Sequence, residues 1–386
     1  MEKLAASVKE IFEKKFQKNP LMIASPGRIN LIGEHTDYNE GFVLPGATDL
    51  VIVFAVSARE DRRCRFYSVD FDREYITDLD HLVRSDQRWP DYLQGVLYAF
   101  LKEGYRINGV DLAFGGNIPI GGGMSSSAAV EGGLAFALNH LFDLKLDLLT
   151  LARLARRAEN EFVGVRCGIM DMYANLHGQR GRVMKVDCRH LIHEYFPFNR
   201  PDLRVIVSDT GVRRELASSE YNVRRQQCEE GVSLLRKYYP EIKSLRDVTL
   251  EMLGEHRKEF HPVIWKRCAY VVRENHRVEL ACQDLLRQDF VSFGERMKES
   301  HAGLRYEYEV SSPELNLLVE LALSLPGVYG SRMMGAGFGG CTISLVEAQV
   351  VEDFIRLVSA GYERRTGRQP AIHVVRVESG TRIIEA

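Results

Sequence analysis

The feature that most constrains this chain is a glycine- and serine-rich stretch at residues 115–129, GGNIPIGGGMSSSAA. Three consecutive glycines and three consecutive serines cannot build a hydrophobic core, and they are costly to order. Glycines allow several backbone amides to converge on one anion, and a helix beginning near residue 126 would add its free amides and positive end. The stretch therefore predicts a phosphate-binding loop. It lacks the lysine of the Walker motif, and its interleaved apolar residues disfavour a flexible linker.

Composition narrows the class of protein. The chain has 386 residues and a mass of 43.9 kDa, which is enough for two or three domains without disulfide or metal staples. Lys and Arg total 51 and Asp and Glu total 53, so the net charge is −2 and nucleic acid is not an expected partner. The seven cysteines are scattered without a CxxC pair, which argues against a zinc ribbon and a disulfide framework.

The chain contains no apolar run of about 18 residues, so no membrane span is expected. Charged residues at positions 2, 3, 9 and 10 rule out a secretory signal at the N-terminus, where apolar spacing predicts an amphipathic helix instead. With the unpaired cysteines, these features predict an enzyme of the reducing cytosol.

Strand and helix patterns predict a mixed α+β protein with two halves. The boundary is expected near residue 200, at the proline-flanked segment 197–201, which gives units 1–200 and 201–386. Strands are predicted at 21–25, 51–57, 110–114, 203–209, 342–346 and 372–377. Helical spacing is found at 214–239, 265–303 and 347–360.

A second segment, GRINLIGEHTDYNEG at 27–41, gathers Arg28, Glu34, His35 and Asp37. Together these side chains form a set of donors and acceptors suited to a ligand rich in hydroxyl groups, such as a sugar. A solvated loop could carry the same charges. A metal site is also conceivable, although the spacing matches no common ligand motif.

A third segment, MMGAGFGGC at 333–341, satisfies G-x-G-x-x-G through Gly335, Gly337 and Gly340. A dinucleotide-binding fingerprint must open a helix, whereas the residues that follow here predict a strand. We therefore expect these glycines to let the backbone approach a ligand or a neighbouring element.

Two carboxylates stand among apolar residues. Glu159 falls at i+8 from Leu151 on an apolar helical face, where it needs a partner such as a cation, or else pairs with Arg156 or Arg157. Asp171 lies within GIMDMY, where it either caps a helix or takes part in chemistry.

These segments resemble a known family. GRINLIGEHTDYNEGFVLP at 27–45 is similar to the galactokinase signature, and PIGGGMSSSAA and MMGAGFGGC resemble motifs of the wider superfamily of galactokinase, homoserine kinase, mevalonate kinase and phosphomevalonate kinase. CGIMD at 167–171 with DCR at 187–189, and LASSEYNVRRQQCEE at 216–230, also look like galactokinase. The resemblance extends from residue 24 to about 346.

The resemblance implies a two-domain α+β fold, with an N-terminal domain like ribosomal protein S5, a ferredoxin-like C-terminal domain and the active site between them. It implies a monomer that uses ATP and Mg²⁺ to phosphorylate the anomeric hydroxyl of D-galactose. Asp171 is then the base and Arg28 steadies the transferring phosphate. The other implied contacts are Glu34, His35, Asp37, Gly168 and Tyr221 for the sugar, Trp89 and Tyr92 for adenine, Gly121, Gly122, Gly123, Ser125, Ser126 and Ser127 for the phosphates, and Ser127 with Glu159 for the metal.

The chain departs from the family pattern at five positions: Glu40, Gly46, Thr48, Met172 and Met334. These departures leave the exact sugar open, so a kinase for a related hexose such as N-acetylgalactosamine is an alternative. A non-catalytic sensor of galactose and ATP is a further alternative, disfavoured by the intact serine loop and Asp171.

Overall fold

A computed structural model describes residues 1–212 and 217–385. The first residues of the helix predicted at 214–239, and residue 216 of the LASSEY segment, lie outside the described residues. No described helix has the length and apolar character needed to cross a membrane.

The strands among the described residues are β1 (Leu21–Asn30), β2 (Phe42–Val43), β3 (Pro45–Ala58), β4 (Arg63–Ser68), β5 (Arg73–Asp78), β6 (Val110–Gly116), β7 (Arg182–Asp187), β8 (Ile192–Pro197), β9 (Leu203–Asp209), β10 (Val328–Met334), β11 (Cys341–Glu347), β12 (Ala371–Val375) and β13 (Arg382–Ile383). The α-helices are α1 (Glu2–Phe16), α2 (Trp89–Lys102), α3 (Ser126–Leu141), α4 (Leu148–Arg157), α5 (Met170–His177), α6 (Ala217–Leu235), α7 (Leu250–Glu255), α8 (Pro262–Leu286), α9 (Phe290–Tyr306), α10 (Pro313–Leu323) and α11 (Val351–Thr366). The mixed α+β prediction is confirmed.

The N-terminal half is built on a six-stranded sheet with the order β13-β1-β3-β6-β4-β5. The pairings are antiparallel except for β4 with β6, which is parallel. Helix α1 covers one face through Val8 and Phe12, which pack on alternate residues of β1 and β3. Helices α2 to α5 cover the other face and enclose the largest apolar core. This face carries the glycine- and serine-rich loop that precedes α3.

Helix α3 lies very close to the sheet and to α5. A Cβ atom at Gly133 would stand 2.3 Å from the ring of Phe54 in β3, and one at Gly132 would stand 2.1 Å from the side chain of Asn175 in α5. Both glycines are therefore needed for this approach, which fixes the start of α3, and with it the serines of the loop, relative to β3 and α5.

The C-terminal half contains a four-stranded antiparallel sheet with the order β10-β11-β9-β12. Helices α10 and α11 pack on one face of it through Leu318, Phe354 and Tyr362. Helices α6 to α9 form a separate core around Tyr270 and Tyr308. A three-stranded sheet, β2-β7-β8, lies at the junction.

The boundary near residue 200 falls between β8 and β9, which belong to different sheets. The last strand, β13, returns to pair with β1, so the end of the chain contributes to the N-terminal sheet. The division into units 1–200 and 201–386 stays a prediction. Helical spacing at 265–303 resolves into two helices, α8 and α9, separated at residues 287–289.

Candidate functional site

Two cavities meet between the halves. The smaller has a volume of about 200 Å³ and is lined mainly by polar and charged side chains, and the larger has a volume of about 450 Å³. Four residues line both: Arg28, Asp171, Gly335 and Ala336. A ligand in one cavity would therefore reach a ligand in the other at Arg28 and Asp171.

The pair at this junction is held rigidly. Arg28, in β1, donates from Nε to Asp171 Oδ1 at 2.8 Å and from a terminal nitrogen to the Gly123 carbonyl at 2.5 Å. Ser125 donates its hydroxyl to Asp171 Oδ2 at 2.5 Å. Arg28 is buried, whereas the Asp171 side chain keeps 30% of its surface exposed. Asp171, in the first turn of α5, thus offers an oriented carboxylate to both cavities.

Glu34 lines the smaller cavity and depends on a residue that the motifs did not reveal. Its Oε1 accepts a hydrogen bond from Arg332 at 3.0 Å and another from the Gly335 amide at 3.0 Å. Arg332 is fully buried in β10 and also donates to the carbonyls of Asn30 and Leu31. The available signal in the sequence was its position directly before the MMGAGFGGC segment.

His35 lines the smaller cavity in a left-handed conformation with φ of 63°. Its Nε2 is 3.2 Å from the Ala336 carbonyl, which can only accept, so Nδ1 accepts from the hydroxyl of Tyr38 at 2.8 Å. Burial, with the nearby Arg224 and Arg332, lowers the pKa of His35 to about 3. The ring is therefore neutral at physiological pH.

Asp37 and Gly168 line the smaller cavity and lie directly against each other. Burial, and then the charge of Asp171, raises the pKa of Asp37 to about 6. A Cβ atom at Gly168 would stand 1.8 Å from Asp37 Oδ2, so only glycine leaves room for this carboxylate. Tyr221, on α6, closes the cavity with its ring 5.4 Å from that of His35. All five residues predicted to contact a sugar thus lie together.

The larger cavity has an aromatic end and a glycine-serine end. Trp89, whose ring is 5.8 Å from that of Phe114, lines the aromatic end with Tyr92. The other end is formed by Gly121, Gly123, Ser125, Ser126 and Ser127. The amides of residues 126–128 open α3, where no intrahelical acceptor is available to them. Gly122 is outside the lining, and a Cβ there would approach Pro119 to 2.9 Å.

Glu159 lies in a π-helical turn, Ala158–Val163, that follows α4, rather than on the regular helix expected. A π-helical turn holds one more residue than an α-helical turn, yet the Glu159 side chain stays buried. Glu159 lines the smaller cavity. Burial and the charge of Asp171 raise its pKa to about 7, against interactions with Cys167, which donates to its carboxylate, and with Glu131 and Ser127, which lower it. Arg157 pairs with Glu103 and Glu161 instead.

Glu131, one turn after Ser127 on α3, was not singled out from the sequence. Burial, and then the charge of Glu159, raises its pKa well above the ordinary value. Across residues 1–212 and 217–385, no three His, Cys, Asp or Glu side chains gather as a metal-binding group. Any cation here would need other oxygen ligands.

The five departures from the family pattern lie outside the lining of the smaller cavity. Glu40 adopts φ of 58°, a conformation that favours glycine, and its carboxylate accepts from Arg189 at 2.8 Å. Met172 is fully buried in the apolar core. The Met334 sulfur accepts from the Asn30 amide at 3.4 Å.

Thr48 donates its hydroxyl to the Gly27 carbonyl at 3.3 Å. A Cβ at Gly46 would approach Val183 and Val377 to 3.2 and 3.3 Å, so the glycine lets these valines pack closely.

Comparison with known proteins first defines the class. The model of the GHMP kinases N terminal domain matches residues 91–179, and that of the GHMP kinases C terminal matches residues 281–363. The crystal structure of Methanococcus jannaschii mevalonate kinase superposes with a TM-score of 0.63 at 15% identity, covering 94% of this chain and 100% of that one. The fold is that of the GHMP kinases.

The chain also matches galactokinases specifically. The galactokinase galactose-binding signature matches residues 10–58. The galactokinase of Chloroflexus aggregans is 46% identical over 365 residues, covering 94% of this chain and 93% of that protein. The Lactococcus lactis galactokinase, solved in complex with galactose, is 33% identical with a TM-score of 0.94, covering 98% of this chain and 99% of that one. The chain therefore belongs to the galactokinase family.

Proposed function

We propose that this protein transfers the terminal phosphoryl group of ATP to the anomeric hydroxyl of D-galactose, giving galactose 1-phosphate and ADP. The observation that carries this proposal is the Arg28–Asp171 pair, which lies where the smaller and larger cavities meet. The galactose complex of the Lactococcus lactis relative and the names of the curated relatives support the choice of sugar.

Asp171 acts as the general base in this proposal. Its carboxylate is oriented by Arg28 and Ser125 and still faces the smaller cavity, so it can accept the proton of a sugar hydroxyl held there. Arg28 lines both cavities and provides a fixed positive charge where the charge of the transferring phosphoryl group develops. Alignment and electrostatics, rather than a covalent intermediate, carry the reaction.

Sugar recognition falls to Glu34, His35, Asp37, Gly168 and Tyr221. The carboxylate of Asp37 is ionised above about pH 6 and then accepts hydrogen bonds from sugar hydroxyls. Two hydrogen bonds hold the His35 ring in a fixed orientation, and the low pKa keeps it neutral, so it lines the cavity without a change of charge. Buried hydrogen bonds keep Glu34 and His35 in place before the sugar arrives.

The larger cavity binds ATP in this proposal. Trp89 and Tyr92 pack on the adenine, and the amides of the loop at 121–127 and of the start of α3 bind the phosphates. Gly122 supports the loop conformation from behind, against Pro119.

The donor set fits Mg²⁺. The cation prefers oxygen ligands and is held in proteins by one or two carboxylates together with substrate phosphates. Ser127 lines the larger cavity, Glu159 lines the smaller one, and the two side chains interact with each other. When bound, Mg²⁺ would neutralise phosphate charge and orient the terminal phosphoryl group. Ser127 and Glu159 would hold it.

The experiment that tests the proposal is ADP release with Mg·ATP over a panel of hexoses, N-acetylhexosamines, pentoses and mevalonate. Turnover confined to D-galactose is expected, because none of the five departures lines the smaller cavity. Turnover confined to N-acetylgalactosamine would overturn the choice of sugar. Binding of ATP and galactose without turnover on any substrate would make the protein a sensor.

Further parts of the proposal rest on the resemblance and on composition. They are two units at 1–200 and 201–386, a monomer, a reducing cytosolic compartment and no nucleic-acid partner. The scattered cysteines and the net charge of −2 support the last two. Sedimentation of the purified protein tests the monomer directly.

A further inference from the structure

Glu131, on α3, is a fully buried glutamate without a donor for its carboxylate. It is 0% exposed, and neither oxygen has a hydrogen-bond partner among the described residues. Glu274 is equally buried but is bound by Arg277, Ser300 and the Gly33 amide. Buried carboxylates are ordinarily satisfied in this second way, because an unpaired one is costly. The described residues therefore supply no hydrogen-bond donor to the Glu131 carboxylate.

The surroundings of Glu131 indicate which partner is missing. The charges that raise its pKa are those of Glu159 and Asp171, both of them carboxylates. Ser127 and Glu131 are four residues apart and share one face of α3. Glu159 approaches from the π-helical turn and interacts with both. One hydroxyl and two carboxylates thus converge beside the loop that faces the phosphates.

We propose that Glu131 supplies a second carboxylate to the magnesium site, beside Glu159 and Ser127. This inference rests on the proposed function, because the cation is the one that accompanies ATP. A divalent cation would satisfy the unpartnered oxygens and offset the repulsion between the two glutamates. Two carboxylates, a hydroxyl and substrate phosphates form a donor set that suits Mg²⁺. The competing role is that of a neutral carboxyl group that only fills space.

The test is the coupling between metal and nucleotide, measured without turnover. Calorimetry gives the affinity of the galactose-bound protein for ADP with Mg²⁺ and with EDTA, and the ratio of the two is the readout. We expect Glu131→Gln, which keeps the shape and removes the charge, to reduce that ratio by about 10-fold to 100-fold. Metal-free ADP affinity and galactose affinity should stay within about twofold of wild type.

Glu161→Gln is the matched control, because Glu161 lies in the same turn as Glu159 but pairs outward with Lys102 and Arg157. It should leave the ratio unchanged. The inference would be overturned if Glu131→Gln kept the wild-type ratio and if electron paramagnetic resonance showed unchanged Mn²⁺ binding to its ADP complex.

If Glu131→Gln unfolds, Glu131→Asp is the variant to measure, because it keeps the charge on a shorter side chain. The inference then requires its ratio to fall while its metal-free melting temperature stays near that of wild type. A wild-type ratio in Glu131→Asp would count against the inference. Failure of the wild-type protein to bind galactose and ADP at all would instead refute the proposed function.

Discussion

The smaller and larger cavities meet at Arg28 and Asp171, yet they are built in different ways. The smaller cavity is lined by charged and polar side chains from separate parts of the chain, and several of them are fixed by buried partners, as Arg332 fixes Glu34. The larger cavity offers backbone amides of a loop and flat aromatic surfaces. In the proposed function, the smaller cavity would bind the sugar hydroxyls, whereas the larger cavity would bind the phosphates and the adenine ring.

The difference has an energetic consequence. A side chain that is fixed by buried partners cannot move to accommodate a neighbour, so a small change at the smaller cavity should be costly. A loop amide cannot be removed by substituting a side chain, and an aromatic surface is shared by several residues. Single substitutions at the larger cavity should therefore cost less.

The largest effect is expected at the junction itself. Asp171→Asn keeps the shape of the side chain but cannot take up the hydroxyl proton, so kcat should fall by about 100-fold to 10,000-fold. Galactose and nucleotide affinities, measured by calorimetry, should stay within a few-fold, because Arg28 can still donate to the amide oxygen. If the variant turns over at a near-normal rate, the charge of Arg28 rather than proton transfer must carry the reaction.

A smaller loss is expected for Gly168→Ala. The new methyl would fall 1.8 Å from Asp37 Oδ2 and force that carboxylate from its position. A displacement of this size at a recognition group costs about 100-fold, so KM for galactose should rise by about 10-fold to 100-fold while KM for ATP stays unchanged. Gly254→Ala is the control, because nothing lies within 4 Å of its Cβ position. Equal KM values in the two variants would refute the close approach.

The protonation of Asp37 gives a prediction that can be tested by changing the pH alone, without a substitution. With a pKa of about 6, its carboxyl is about 90% ionised at pH 7 and about 10% ionised at pH 5. Galactose affinity without nucleotide should therefore fall by about tenfold as the pH is lowered between these values. His35 stays neutral throughout, because its pKa is about 3.

Asp37→Asn is the comparison for this pH series. It should bind galactose more weakly than wild type at pH 7 and show a flat profile. A pH dependence that persists in Asp37→Asn would assign the titration to another group.

The same contrast explains how much of the site could be predicted from the sequence. Arg28, Glu34, His35 and Asp37 lie within ten residues of one another, so their convergence was visible as a motif. The strand at 203–209 and the helix beginning near residue 126 were also predicted closely, because local patterning determines both. The glycine- and serine-rich loop before α3 was visible in the sequence, and its role in phosphate binding stays a prediction.

The supporting residues could not be predicted in this way. Arg332 is about 300 positions from Glu34 in the sequence, and the Tyr38 hydroxyl is hydrogen-bonded to Tyr308 on a distant segment. Such pairs are formed when the two halves pack together, and this packing cannot be predicted from a single sequence. The π-helical turn at Glu159 was missed for a related reason, since one inserted residue leaves the apolar periodicity almost unchanged.

The smallest effect is expected at the aromatic end of the larger cavity. Trp89→Ala removes one of several apolar surfaces, and the neighbouring Phe114 and Tyr92 remain. An aromatic contact is worth about 1 kcal/mol, so KM for ATP should rise by about fivefold, with KM for galactose unchanged. Trp89→Phe should recover most of the loss because it restores a ring.

The chain has a second tryptophan, Trp265 on α8, so a Trp265→Phe background isolates the emission of Trp89. ADP should quench that emission and galactose alone should not, since Trp89 lines only the larger cavity. Quenching by galactose alone would mean that filling the smaller cavity rearranges the larger one. The two cavities would then be coupled through the shared Arg28 and Asp171, and a substitution in one could no longer be assumed to leave the other unchanged.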